Sequence, residues 1–154
     1  MRHSFLAKRL EPKEGIDHRR AMIEKARAMS GVISLGRGDP DLRTPVHIIE
    51  AAKRALDEGY TGYSPWAGYP DLREAIARKL RTENHIDAKA SEVLVTVGAE
   101  EAVFLTMMAI LDPGDEILVP EPRYTPYDMA VEMAGGKLVS IPTTLEGEFQ
   151  IEPE

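Results

Sequence analysis

The chain contains no cysteine. That excludes a disulfide framework and thiolate metal sites, and it suits a reducing compartment. Aromatics are sparse, with three phenylalanines, five tyrosines and one tryptophan in 154 residues. Basic residues are outnumbered, 19 Lys and Arg against 26 Asp and Glu, for a formal net charge of −7. No cluster of Lys or Arg is interleaved with aromatics, so no nucleic-acid partner is expected. His3, His18, His47 and His85 are scattered without metal-ligand spacing, read as solvated surface, and give no reason to expect a metal. Long apolar runs are missing too. The longest, Ala102 to Leu111, falls far short of the ~20 residues that cross a bilayer. The charged start MRHSFLAKRLEPKEG lacks the apolar core of a signal peptide. What remains is a chain with no membrane partner, expected in the cytoplasm and long enough for one ordinary domain.

What is present concentrates between Glu92 and Tyr127. Val93-Leu94-Val95-Thr96-Val97 is a short β-branched run with polar flanks and reads as a buried strand. Gly98 breaks it, and Ala99 to Leu111 follow at helical period, with Ala102, Leu105, Met108, Ala109 and Leu111 on one broad face. Asp112-Pro113-Gly114-Asp115 is a turn, because proline presets φ at the second position and glycine accepts positive φ at the third. Glu116-Ile117-Leu118-Val119 is a second strand. Strand, glycine turn, helix, turn and strand form one βαβ unit of a parallel sheet, so the chain reads as α/β. The N–H groups that open the helix lack intrahelical acceptors and lie at its positive end. Gly98, Ala99 and Glu100 are therefore a candidate phosphate cradle. A plain βα corner, in which Glu100 and Glu101 complement the helix dipole, is the competing reading.

Ahead of this unit the signals are local. Residues 1–16 are polar, with Pro12 and Gly15, and form an arm. Asp17 can cap a helix to about Met29, with Met22, Ile23, Ala26 and Met29 in one stripe and Gly31 past its end. Val32 to Leu35 is extended. Gly36-Arg37-Gly38-Asp39-Pro40-Asp41 is a loop, permissive at its glycines and stiff beyond Asp39. Thr44-Pro45 reads as a helix start; Val46, Ile49, Ala52, Ala55 and Leu56 give the buried side, and Gly59 ends it. The loop from Tyr60 to Tyr69 holds three of the five tyrosines and the only tryptophan. Those aromatics must pack on something, either the chain's own core or a partner surface. Pro70 opens a helix to about Thr82 with Leu72, Ile76 and Leu80 inward. Thr125-Pro126 opens another, stopped at Gly135-Gly136, and Lys137 to Ile141 is a third strand.

Together these pieces resemble the class I/II aminotransferases, pyridoxal-phosphate enzymes of fold type I. The resemblance runs from about Ile33 to Ile151. It rests on LGRGDPDLRTP (35–45), Tyr63 and Gly68 followed by DLREAIA (63–77), VTVGAEEA (95–102), DPGDEILVPEPRY (112–124) and a helix ending at Gly135-Gly136, all in order. It implies an incomplete fold type I large domain over 45–154, a parallel-rich sheet flanked by helices. Over 1–44 it implies an arm, a helix belonging to the small domain and a substrate-side loop. The implied cofactor is pyridoxal 5'-phosphate, its phosphate held by the backbone amides of Gly98, Ala99 and Glu100 and its ring stacked on Tyr124. Tyr63 would reach across a homodimer to the cofactor phosphate of the other subunit. The implied substrates are an amino acid and a 2-oxo acid, with Gly38 near the substrate carboxylate. Arg37 is then either solvated or a reader of an acidic side chain, since guanidinium pairs bidentately with carboxylates. In the family's sheet, finally, the run at 93–97 and the strand at 116–119 are not neighbours.

The resemblance also implies a lysine that forms a Schiff base with the cofactor. Lys8, Lys13, Lys25, Lys53, Lys79, Lys89 and Lys137 stand in arm, helix or edge-strand contexts, and none matches the serine-rich loop that carries it. No catalytic residue is therefore assigned, and the expectation is the amino-terminal part of a longer transaminase, inactive by itself. A C–S β-lyase on the same scaffold is the nearest alternative. A cofactor-sensing domain of a transcription regulator is disfavoured, because little sequence precedes the resemblance. A truncated, non-catalytic dimerisation or regulatory module using the loop 60–69 is a third.

Overall fold

The computed structural model describes residues 7–10, 16–33 and 40–151. The chain divides into two compact units, Met1–Tyr63 and Ser64–Glu154.

Among the described residues of the first unit the regular elements are α1 (Ile16–Arg27), α2 (Val46–Asp57) and a 3-10 turn at Lys8–Leu10. Asp17 lies inside α1 rather than ahead of it. Pro45, not Thr44, takes the cap position of α2, with no side-chain cap bond. Both starts are displaced by a residue or two, the ordinary slack of a helix end. The close of α2 follows the glycine signal: Gly59 has φ +86, its N–H donates to Leu56 O at 3.0 Å, and Tyr60 N–H donates to Ala55 O at 2.9 Å. That is a Schellman motif. The stripe of Val46, Ile49 and Leu56 is exposed and α2 has no buried residue, which corrects the expected buried side. The loop carrying Arg37 and Gly38 lies outside the described residues.

The second unit carries the sheet. α3 (Pro70–Glu83) starts with proline in its first turn, where a missing N–H costs nothing. Ala77 is buried, Ile76 and Leu80 are half-buried, and Leu72 stays exposed. After a 3-10 turn at Ala90–Glu92, Val93 is extended (φ −99, ψ 126), but residues 93–97 form no strand, contrary to expectation. Pairing is the reason. Val95 N–H donates to the loop carbonyl of Ala67 at 3.0 Å, and Val93 O accepts from Arg73 Nε at 2.9 Å. No strand lies beside the run among the described residues. The close approach of the loop requires Gly68, which has φ +98 and where a Cβ would lie 2.5 Å from Val95 Cγ2.

α4 (Gly98–Ile110) leads through the Asp112–Asp115 turn to β1 (Glu116–Glu121), α5 (Pro126–Ala134) and β2 (Lys137–Pro142). The turn is the one expected: Asp115 N–H donates to Asp112 O at 3.0 Å and Gly114 has φ +99. The Asp115 carboxylate in return accepts Asp112 N–H at 2.9 Å. β1 and β2 pair in parallel, from Glu116 opposite Lys137 to Glu121 opposite Pro142. Because residues 93–97 form no strand, the two-stranded sheet does not test their expected separation from β1. Gly135 (φ +83) and Gly136 close α5 in a second Schellman motif, donating to Glu132 O at 2.9 Å and Val131 O at 3.0 Å.

Met107, Ala130 and Val131 form the buried centre, ringed by Val103, Leu111, Ile117, Tyr127, Ala134 and Leu138. The inward face of α4 is thus Val103, Met107 and Leu111, four residues apart, and not the expected face through Leu105 and Met108. Phe104, Leu105, Met108 and Ile110 are exposed, as is Leu118 on β1, although parallel sheets are ordinarily covered on both faces. Among the described residues only Ala77, Met107, Val119, Ala130 and Val131 are buried hydrophobics. Each strand of the two-stranded sheet also keeps one unpaired edge. So small a core does not offset the chain entropy lost on ordering. Expressed alone, the 154-residue chain is expected to be molten or aggregated, with a broad melt and collapsed amide NMR dispersion. A sharp cooperative melt with dispersed amides contradicts this.

Candidate functional site

Between the extended run and α4 the backbone reverses twice. Val97 has φ −76 and ψ 72, and Gly98 N–H donates to Thr96 O at 2.9 Å, which makes an inverse γ-turn. Gly98 then takes φ +79, and no heavy atom lies within 4 Å of where its Cβ would be. Thr96 Oγ1 donates to Gly98 O at 2.9 Å. Glu101 reaches back so that its carboxylate accepts Val97 N–H. The N–H groups of Ala99 and Glu100 have no acceptor among the described residues.

Of the three residues expected to cradle an anion, Gly98 has its own N–H committed to the turn. Its contribution is the reversal and the open space above it. Ala99 and Glu100 present theirs at the positive end of a 13-residue helix. Glu100 and Glu101 do complement the dipole, yet a side chain takes only one amide. Two open amides, a positive helix end and a clear approach are the donor set a phosphate needs.

Tyr124 lies in the turn between β1 and α5, and 62% of it is exposed. It lines a recess of about 440 Å³ with Met107, Val119, Pro122, Arg123 and Tyr127. A second recess of about 280 Å³ is lined by Glu100, Glu101 and Phe104 of α4 and by Pro126, Met129 and Ala130 of α5. The two recesses share no residue, so Tyr124 and the start of α4 do not line one pocket. They do lie at one end of the unit. α4 and α5 face each other start to start across the second recess. At the far end, Gly114 N–H, just past α4, donates to Gly135 O at the close of α5 at 2.9 Å. β1 delivers Tyr124 to the starting end. That end is the carboxyl edge of the strands, where open parallel sheets bind ligands.

Sequence reasoning missed what holds this turn. Arg123 Nε donates to both Asp128 oxygens at 3.2 Å, Nη2 donates to Oδ1 at 2.6 Å, and Nη1 donates to Ser140 Oγ at 2.9 Å. Glu121 Oε2 lies 3.4 Å from Nη1. An arginine and an aspartate five apart across a helix start match no helical or strand spacing, so charge order was the only available signal. The hydrogen bond from Arg123 holds the Asp128 carboxyl below the ordinary carboxylate range, and the same bond raises the guanidinium. The sign follows: a carboxyl depressed on folding stabilises the fold above its unfolded value, ~3.9, and that contribution goes as pH falls through the lower folded value. In the complete enzyme, carboxyl NMR titration is expected to show the Asp128 midpoint rising when Arg123 is replaced by glutamine. An Asp128 midpoint unmoved by Arg123→Gln contradicts the pairing.

Tyr63, the last residue of the first unit, is fully exposed, and so is Trp66 in the second unit. No lysine lines either recess. Lys53, Lys79 and Lys137 are paired with Glu50, Glu83 and Glu116. No described helix is long and apolar enough to cross a membrane, and no metal-holding group of side chains occurs among the described residues.

Comparison with known proteins bears on this arrangement. The family model "Aminotransferase class I and II" matches residues 30–154. An aspartate aminotransferase of Pyrococcus abyssi is 48% identical over 133 residues, covering 86% of this chain and 34% of that protein. A probable aspartate/prephenate aminotransferase of Thermus aquaticus is 42% identical over 147 residues, covering 96% of this chain and 38% of that protein. In three dimensions the chain is similar to the aspartate aminotransferase of Thermus thermophilus solved with maleate, with a TM-score of 0.84 and 40% identity. That match covers 95% of this chain and 39% of the other. The chain therefore spans well under half the length of the relatives it matches.

Proposed function

The chain belongs to the class I and II aminotransferases, and from that premise we propose that it is the amino-terminal part of a pyridoxal-phosphate-dependent transaminase. The complete enzyme moves an amino group between an amino acid and a 2-oxo acid. One observation carries the reading: two open amides at the start of α4 and the exposed ring of Tyr124 stand at the same edge of a parallel sheet.

When bound, pyridoxal phosphate supplies the electron sink for chemistry at the substrate's α-carbon. The residues of this chain bind and orient. Ala99 and Glu100 hold the phosphate by their N–H groups, and Gly98 keeps the approach clear. Tyr124 covers one face of the ring and keeps water from it. By resemblance Gly38 is assigned to the substrate carboxylate, and Arg37 is either solvated or a reader of an acidic side chain. The lysine that carries the cofactor and moves the proton lies in the complete enzyme outside these residues, so the 154-residue chain is inactive alone. Tyr63 belongs to a homodimer interface and reaches the second subunit's cofactor. The division into an arm, helix and substrate loop (1–44) and the first part of a cofactor-binding domain (45–154) is part of this proposal, as is a cytoplasmic location.

Aspartate, named in the relatives above, is the first amino donor to try. The test is turnover of the complete enzyme with an amino acid, with and without a 2-oxo acid. Transamination requires the 2-oxo acid and returns its amino form. Release of pyruvate and ammonia from a sulfur amino acid without any 2-oxo acid identifies a β-lyase instead.

A further inference from the structure

Tyr124 has little to fix it: most of the residue is exposed, and it lines a recess rather than a packed core. Its backbone is tied at one place, where its carbonyl accepts Tyr127 N–H at 3.2 Å, next to the Thr125 O bond from Asp128 N–H at 3.1 Å. A ring meant to lie flat on a heterocycle must be held in orientation before the ligand arrives. The neighbouring side chain is built for that. Arg123 is only 18% exposed and spans three elements, with Glu121 at the end of β1, Asp128 in the first turn of α5 and Ser140 on β2. The Arg123–Asp128 bridge closes over Tyr124, Thr125, Pro126 and Tyr127, so it clips both ends of the segment carrying the ring.

Resting on the proposed function, we infer that Arg123 is a positioning residue: its guanidinium, forked onto Asp128 and anchored to Ser140, sets the orientation of Tyr124 for the cofactor ring. Lysine cannot replace it fully. An ammonium retains the charge pairing with Asp128, but it lacks the planar fork that reaches Asp128 and Ser140 together.

The test uses the complete enzyme, with pyridoxal phosphate as the titrant. Its dissociation constant and the visible circular dichroism of the bound chromophore are read for the wild type, Arg123→Gln, Arg123→Lys, Asp128→Asn and the Arg123→Gln/Asp128→Asn double variant. Arg123→Gln and Asp128→Asn are each expected to weaken binding about two- to fivefold and to reduce the dichroism per bound cofactor. The double variant is expected to lose no more than the worse single one, because both remove the same clamp. Arg123→Lys is expected to recover part of the loss. If Arg123→Gln fails to fold, the near-isosteric Asp128→Asn carries the same expectation. Variants that lower the melting temperature but leave affinity and dichroism unchanged overturn the inference, since the bridge then only stabilises the fold. A wild type that binds no pyridoxal phosphate overturns the proposed function itself and the inference with it.

Discussion

Replacing Ala99 by aspartate is expected to weaken pyridoxal phosphate binding by the complete enzyme on the order of a hundredfold while leaving α4 intact. Ala99 is exposed in the first turn of the helix and its N–H has no acceptor among the described residues. A carboxylate in that turn suits the helix dipole, by ~0.3–1 kcal/mol, so stability of the unliganded protein is unchanged or slightly raised. For a phosphate on the same amides the sign reverses. Two like charges about 5–6 Å apart, at an effective dielectric near 20, repel by roughly 3 kcal/mol before screening, and 2–3 kcal/mol is a factor of about 30 to 150. Ala99→Asn separates charge from bulk and is expected to bind within a few-fold of wild type. Added salt should recover part of the aspartate loss and none of the asparagine effect. Equal affinities for the aspartate and asparagine variants would remove the anion from the start of α4.

The second large effect is at Tyr124. Stacking of a flat heterocycle on an aromatic side chain is worth ~1–3 kcal/mol in nucleobase recognition. Tyr124→Ala is therefore expected to weaken the cofactor by about 5- to 150-fold. Tyr124→Phe keeps the ring face and is expected to keep most of the affinity. Because the residue is largely exposed, truncation is expected to change unliganded stability by no more than ~0.5 kcal/mol. Competition binding by fluorescence, with thermal melts of the unliganded proteins, separates the two effects. If alanine binds the cofactor as tightly as tyrosine, the ring does not cover it.

How much of this was legible in the sequence depended on whether the signal was local. Pro70, Pro126, Pro113-Gly114, Gly59 and Gly135-Gly136 each act on their own backbone, and the helix starts, turn and helix ends they announced are where the structure has them. The run 93–97 shows the limit. Its β-branched residues favour extended backbone, and Val93 at its start is extended, but a strand also needs a ladder, which composition does not supply. The face of α4 failed for a related reason. Ala102, Val103, Phe104, Leu105, Met107 and Met108 surround the helix with apolar groups, so period alone cannot select a side. α5 selects Val103 and Met107. At the site, Gly98 was legible as a reversal. That its own amide would close a γ-turn onto Thr96 was not, because the choice depends on Val97 backbone angles. The Arg123–Asp128–Ser140 network joins residues five and 17 apart, spacings that match no helical or strand period.

The most direct measurement is a crystal structure of the complete enzyme with pyridoxal phosphate bound. The phosphate oxygens should lie about 2.7–3.2 Å from the N–H nitrogens of Ala99 and Glu100, with the pyridine ring flat against Tyr124. A phosphate seated on other donors, with the start of α4 facing solvent, would contradict the account.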